Sequence, residues 1–371
     1  MAIIKRLEKG SELTHEELDN NFTELEAGMS GGGGFNQEVM KTIKEMPLGT
    51  GNQFGTSMAV SDTKIIVGTV YSGDVDGLVS IYDNVGTFIR HIPTPADIVN
   101  GDDFGKALAI SNTVIVSGQP NDNTPTDNEG SAYIFDTDGT LITKILASDP
   151  ATSDNFGWAV SASDTKVVVG SPYSNTNNAG SAYIYDVDGT FVTKIVSPAI
   201  VDNANFGYSV AVSNTKIAIG CPWHQGDNFE YYGFVYLFNL DGTYDTRIQS
   251  SEPQDREGFG VSVAVSDTHI VVGAYQSDIV EGTDSYEGSA YIYTIDGTFV
   301  AKLVAETRIA TQTFGRTVSI SDNFVAVGGS YDNTGANGVV EVFDLLGNRL
   351  NSRPSGALDK YVGHAFGISN T

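Results

Sequence analysis

From Phe54 onward, short stretches of alternating hydrophobic and polar residues return at a regular interval. The dipeptide Phe-Gly marks the beat: it occurs at Phe54, Phe104, Phe156, Phe206, Phe259 and Phe314, and Val362-Gly363 is a degenerate copy, giving spacings of 50, 52, 50, 53, 55 and 48 residues. After each Phe-Gly comes an alternating run ending in Ser-Asp or Ser-Asn, as in SMAVSDT and SVAVSNT. A second run ends in Gly (KIIVG, KVVVG, HIVVG), a variable loop leads to a third (GSAYIFD, GSAYIYD, GFVYLFN), and a tight turn leads to a fourth (LITKI, FVTKI, FVAKL). Period-two alternation dense in Val, Ile and Ala predicts strands. Each repeat is thus four short strands, A to D.

The turns set the pairing. Asp138-Gly139, Asp188-Gly189, Asp241-Gly242 and Asp296-Gly297 fall between strands C and D, where a hairpin needs a residue that tolerates positive φ. Four antiparallel strands repeating at about 50 residues predict an all-β propeller, one repeat per blade. Residues 39–43, VMKTI, read as a strand D, because Ile43 precedes Phe54 by the same 11 residues that separate Ile195 from Phe206. The C-terminal VGHAFGISNT reads as strand A of a seventh repeat. The expectation is six full repeats plus a partial seventh, in a ring of seven positions closed by pairing of the two ends. Six blades with odd strands is the alternative.

The first residues follow another pattern. In GSELTHEELDNNFTELEAGM, Thr14 and Glu17 form a capping box, and Leu13 and Leu18 can staple it. Leu18, Phe22, Leu25 and Met29 then fall on one face of a short helix, too short to be stable without a partner. Residues 30–34, SGGGG, predict a flexible linker. The chain divides into an N-terminal anchoring or oligomerisation segment (1–29), a Gly-rich linker (30–38) and the propeller (39–371). The helix either serves assembly or folds back on the propeller.

Charge and composition narrow the partners. With 20 Lys and Arg against 46 Asp and Glu, the formal charge is −26, which repels nucleic acid and anionic membranes. Cys221 is the sole cysteine, so no disulfide within the chain and no thiolate metal cluster is expected. There is no run of apolar residues long enough for a membrane span or a signal peptide.

The pattern FGxSVAVS…KVVVGSP…GSAYIY resembles the FG-GAP-type repeats of integrin-α-like propellers. Many members of that family hold calcium between strands A and B. Here those connections are only SDT, SNT or SDN, too short to supply six or more oxygens, so neither metal nor other cofactor is expected. The D-x-D-G sequences at 136–139 and 186–189 are read as turns. The segment GSELTHEELDNNF resembles the start of tail-fibre and other appendage proteins of tailed bacteriophages, through Gly10, Ser11, Leu13, Thr14, His15, Glu17, Leu18, Asp19, Asn21 and Phe22, with Glu12 where Pro is usual. That resemblance implies a virion protein assembled in the host cytoplasm, a homo-oligomer with a trimer as first expectation. Its N-terminus would dock on other virion proteins, through Leu13, Leu18, Phe22, Leu25 and Met29, and its distal domain would touch the host surface.

Strand parity puts the A–B and C–D turns on one face and the long B–C and D–A connections on the other, where recognition is expected. The loop from Cys221 to Gly233 gathers Trp223, His224, Phe229, Tyr231 and Tyr232, and Tyr286 lies in the next long loop; these are the candidate receptor contacts. Tyr71, Tyr173, Tyr275 and Tyr331 recur after strand B and are read as structural. No B–C loop carries Lys or Arg, which favours a neutral glycan or a protein as ligand. The bases of strand D (Arg90, Lys144, Lys194, Arg247, Lys302) are read as charges guarding an edge strand. An enzyme is the rival class, with Asp122, Asp127, Glu129, Asp227, Glu230 and Asp284 as candidate acids for glycan hydrolysis. The chain lacks the Ser-x-Asp-x-Gly-x-Thr-Trp box of sialidase-like propellers, an arginine cluster and metal-spaced histidines, so no catalytic residue is assigned. A purely structural virion component is the third reading.

Overall fold

The computed structural model describes residues 3–4, 40–41, 52–71, 77–98, 103–123, 128–199, 201–224, 231–278, 286–307, 312–329, 338–354 and 367–368. These form six four-stranded antiparallel sheets, each built from four consecutive strands of one repeat. The first strands A to D are Asn52–Val60, Lys64–Tyr71, Leu78–Asp83 and Phe88–Ile92, and the sixth set is Thr317–Ile320, Phe324–Gly329, Val339–Asp344 and Arg349–Pro354. The A strands of successive blades lie side by side from the first blade to the sixth, so strand A is innermost and strand D outermost. The fold is a β-propeller.

Each blade follows from its sequence. Strand C is enclosed by its own sheet and by both neighbouring blades, and Ser181–Asp186 is accordingly buried except at its last residue. Strand D meets solvent and keeps an exposed start, as in Phe191–Ile195. The cores lie between blades: Val114, Val116, Ile134 and Ile145 of the second pack against Phe156, Val167, Val169 and Tyr183 of the third.

Phe-Gly is the clasp between blades. Phe104, Phe156, Phe206, Phe259 and Phe314 are each fully buried, and Phe54 is half-buried. The Phe156 N–H donates to the Glu129 carbonyl of the preceding blade at 2.9 Å. Gly157, at φ 91°, brings its carbonyl so close to Gly118 that a Cβ on Gly118 would sit 2.1 Å from that oxygen. A side chain at Gly118 would force the blades apart.

The two kinds of turn are also explained locally. In the A–B turns a serine hydroxyl accepts backbone N–H groups, as Ser111 does from Thr113 at 3.1 Å and Val114 at 3.2 Å. In the C–D turns the chain spends three residues and ends in a positive-φ glycine: the Gly139 N–H donates to the Asp136 carbonyl at 2.9 Å and φ of Gly139 is 83°. The Asp136 carboxylate accepts the N–H groups of Asp138 and Thr140, which holds its pKa below the usual carboxylate range. The D-x-D-G sequence is therefore satisfied by its own backbone.

Strand D bases do more than guard an edge, which corrects the expectation. Lys144, Lys194 and Lys302 lie over the rings of Tyr133, Tyr183 and Tyr291 at 5.3, 5.4 and 5.7 Å. Each also pairs with an acid on the incoming link of its own blade: Asp97 at 2.9 Å, Asp149 at 2.8 Å and Glu252 at 2.8 Å. The base thereby ties the link onto the sheet it enters.

Between the sixth and first blades, the A strands are separated by Gly367 and Ile368. The Ile368 N–H donates to Ser319 Oγ at 3.2 Å, repeating the bond from Val212 to Ser161 Oγ at 3.0 Å between the third and fourth blades. Ile368 packs with Ala326, Val340, Val342 and Met58, and Gly367 lies against Val60. Ile368 thus stands against the sixth blade's strand A as Val212 stands against the third's. Within 39–43, Met40–Lys41 is described, and it pairs in parallel with Ile3–Ile4. The expected helix over the first residues, with Leu13, Leu18, Phe22, Leu25 and Met29, and the linker at 30–34 lie outside the described residues.

Candidate functional site

The residue after each Phe-Gly opens the innermost strand on the face that carries the long connections. In the second, third, fourth and sixth blades that residue is Lys106, Trp158, Tyr208 and Arg316. Just past strand B, on the same face, come Tyr173, Trp223 and Tyr275. The repeat brings these positions of different blades to one level, and their side chains meet.

The contacts fall into two neighbouring groups on the inner rim. Lys106 Nζ lies 5.8 Å from the Trp158 ring. Trp158 stands edge-on to Tyr173 at 5.3 Å and tilted against Tyr208 at 5.6 Å. Tyr275 meets Trp223 at 6.4 Å, and the Arg316 guanidinium lies 5.7 Å from the Tyr275 ring. Burial raises the phenol pKa of Tyr208, with the nearby Arg316 guanidinium opposing part of the rise, so Tyr208 stands between the two groups. The five aromatic side chains are half-buried and Arg316 is exposed. Such a belt offers wide, rigid, amphipathic area at small entropic cost.

The loop proposed from sequence divides in the structure. Trp223 joins the belt. His224 does not reach the surface: it is 3% exposed, its ring packs edge-on to Phe234 at 4.8 Å, and its Nδ1 lies 3.8 Å from Cys221 Sγ. Burial, with Arg247 nearby, pushes its pKa down to about 4, so the imidazole is a neutral core group and not a receptor contact. Its backbone explains this, because the N–H of His224 donates to the Cys221 carbonyl as Ser174 does to Ser171 and Ser277 to Ala274. All three occupy one buried position of the repeat. Tyr231 is half-buried and ties the loop to the next link, donating its N–H to Asp255 Oδ1 at 2.8 Å and accepting from the Arg256 N–H at 2.8 Å. Tyr232 is half-buried and Tyr286 is exposed at 37%. Phe229 lies outside the described residues.

Of the acids weighed for hydrolysis, Asp122 is buried and pairs with Lys144 at 2.8 Å, and Glu129 is buried. Asp127, Asp227, Glu230 and Asp284 lie outside the described residues. Among the described residues no three metal-ligating side chains converge, and no helix is long and apolar enough to cross a membrane. The least conventional acid is Glu257, on the link into the fifth blade. It is fully buried, both carboxyl oxygens lack a hydrogen-bond partner, and the Tyr291 hydroxyl is likewise unpartnered. Burial pushes its pKa up to about 8, with Ser250 and Lys302 offsetting part of the effect.

The belt was missed in the sequence because the four opening residues share no residue type. Their common position, one after Phe-Gly, was the available signal. Tyr173 and Tyr275, read as structural, prove to be part of the belt.

Comparison with known proteins agrees with the fold. The FG-GAP repeat family matches over residues 93–135, 140–185, 244–293 and 298–343. No curated protein sequence matches the chain. Among solved structures, similar chains are of low identity. The β-propeller domain of the Trilobed protease from Pyrococcus furiosus, described as an open velcro topology, is 13% identical, with a TM-score of 0.49, over 83% of this chain and 86% of that one. An acylaminoacyl peptidase of Pyrococcus horikoshii is 11% identical, with a TM-score of 0.50, over 82% of this chain and 46% of that one. A europium-containing methanol dehydrogenase is 11% identical, with a TM-score of 0.46, over 82% and 73% of the two chains.

Proposed function

We propose that this chain, a β-propeller of FG-GAP repeats, is a non-catalytic recognition module carried on a tailed-phage particle, binding a glycan of the host surface at the inner rim of its long-loop face. The observation that carries the binding role is the run of ring contacts from Trp158 through Tyr208 and the pair of Trp223 with Tyr275. Five partly exposed aromatics held on strand ends across three blades present a platform for sugar faces, and clusters of this kind mark contact surfaces. The virion setting rests on the resemblance of residues 10–22 to appendage N-termini, with residues 1–29 as the docking and oligomerising segment.

The test is binding of the purified protein to host cells, with release of saccharide measured in parallel. Retention without cleavage, lost in a Trp158→Ala/Tyr208→Ala variant, is the expected result. Cleavage would make the chain an enzyme. Absence of both retention and cleavage would leave a structural component of the particle.

A further inference from the structure

The rim also carries a positive charge on a strongly acidic molecule, and this bears on which sugar it takes. Resting on the reading just given, we infer that the ligand is a saccharide bearing a carboxylate, with the Arg316 guanidinium as the group that receives it and the rings of Trp158, Tyr208 and Tyr275 as the surfaces that stack on it.

Among the described arginines Arg90 and Arg247 on strand D are also outside any ion pair, but Arg316 is the one that stands in the belt. Acids outnumber bases 46 to 20 in the chain, and the lysines whose side chains are described are taken up by them, among them Lys64 by Asp138, Lys166 by Asp186, Lys216 by Asp245 and Lys302 by Glu252. Even Lys106, at the other end of the belt, is held by Asp103 at 2.7 Å. Arg316 makes no ion pair among the described residues. It is exposed, its backbone N–H is closed onto the Thr313 carbonyl at 3.0 Å, and its guanidinium rests on Tyr275. A guanidinium stacked on a ring keeps its N–H edges available, in the fork geometry that binds a carboxylate through two bonds.

The size of the platform favours a sugar over an acidic peptide side chain. Arg316 lies 5.7 Å from the Tyr275 ring of the fifth blade, near enough to Tyr208 of the fourth to offset part of the rise that burial causes in its phenol pKa, and Trp158, in ring contact with Tyr208, extends the platform to a third blade. One carboxylate needs only the guanidinium. Successive pyranose rings need several aromatic faces. The long-range repulsion from a net charge of −26 disfavours a dense polyanion but acts weakly on a single carboxylate held within hydrogen-bond distance of Arg316. The absence of bases from the B–C loops pointed to a neutral glycan; the cation instead comes from the start of an innermost strand.

The experiment is titration of the full chain with uronate- and sialate-bearing oligosaccharides and with the same compounds after carboxyl reduction, in wild type, Arg316→Gln and Trp158→Ala. Arg316 is exposed, so its replacement leaves the fold intact, which a thermal melt checks. The inference predicts at least one acid binding tenfold or more tightly than its reduced form. Arg316→Gln should remove that preference and leave the reduced form unaffected, and Trp158→Ala should weaken both. Equal binding of acid and reduced forms would overturn the carboxylate and leave the adhesion reading standing. Displacement of the sugar by poly-glutamate at equal affinity would overturn the saccharide in favour of an acidic peptide. Binding of none of the saccharides, acidic or neutral, would overturn both readings.

Discussion

Glu257 makes stability depend on pH in a direction opposite to that of an ordinary paired carboxylate. Its carboxyl is fully buried with no well-formed hydrogen bond to either oxygen, and although the Ser250 hydroxyl and Lys302 nearby favour the charged form, burial raises its pKa from 4.5 to about 8 on folding. The groups that face it are Lys302 from strand D, Tyr291 and Tyr293 from strand C, and Ser250 and Glu252 from its own link. Lys302 is engaged by Glu252 at 2.8 Å, so it does not neutralise Glu257. Between pH 4.5 and 8 the folded state binds a proton that the unfolded state has released, so stability falls as pH rises through that window and levels above it. At about 1.4 kcal/mol for each pH unit between the two pKa values, the whole effect is at most about 5 kcal/mol. Glu257→Gln removes the titration while keeping the shape. Its amide, equally unpartnered, costs about 1–3 kcal/mol at acid pH. The two stability curves should therefore cross: wild type is as stable or more stable at pH 5, and the variant is more stable at pH 8.5. Urea unfolding at several pH values measures this, and taking the difference between wild type and variant removes the contribution of every other group. Parallel curves for the two proteins would refute the reasoning.

Other outcomes follow from the same packing. Gly118→Ala places a Cβ 2.1 Å from the Gly157 carbonyl and should destabilise by about 3 kcal/mol or more, in the range of severe backbone and overpacking changes, read as a shift of the urea midpoint. His224→Ala should lower stability by about 2–4 kcal/mol, as removal of a buried ring does, and leave host binding unchanged; loss of binding without loss of stability would return His224 to the receptor surface. Lys194→Met should cost about 1 kcal/mol or less, because the pair with Asp149 is partly exposed, and should speed amide exchange on the incoming link 146–155. A chelator should leave the melting temperature unchanged, since the turn carboxylates are occupied by backbone N–H groups; a fall of 5 °C would show a metal that those turns do not hold.

The blades were legible because everything that defines them is local. Alternation sets the strands, Asp-Gly sets the C–D turns, and Ser-Asp or Ser-Asn sets the A–B turns, each within a few residues. Phe-Gly could be found by counting, though its role as a clasp against the carbonyl of Glu129 and the backbone of Gly118 is visible only across two blades. The site was less legible for the same reason. Trp158 and Tyr208 are 50 residues apart and Arg316 lies 108 further on, and their convergence is a property of the ring. The loop at 221–233 misled because its aromatic residues are contiguous in sequence, whereas the turn after strand B sends Trp223 to the rim and His224 into the core. The strand D bases looked like edge protection until their partners, Asp97, Asp149 and Glu252, were brought onto the same blade by the incoming link.

The chain contains two tryptophans, Trp158 and Trp223, and both stand in the belt, so intrinsic tryptophan fluorescence reports on the site directly. Titrating the protein with host surface saccharide, while calorimetry records binding in the same samples, tests the central claim. A saturable change in emission with the calorimetric midpoint, reduced in Trp158→Phe and abolished in the Trp158→Phe/Trp223→Phe pair, is the predicted result. Calorimetric saturation with tryptophan emission unmoved would place the ligand elsewhere on the propeller and contradict the account.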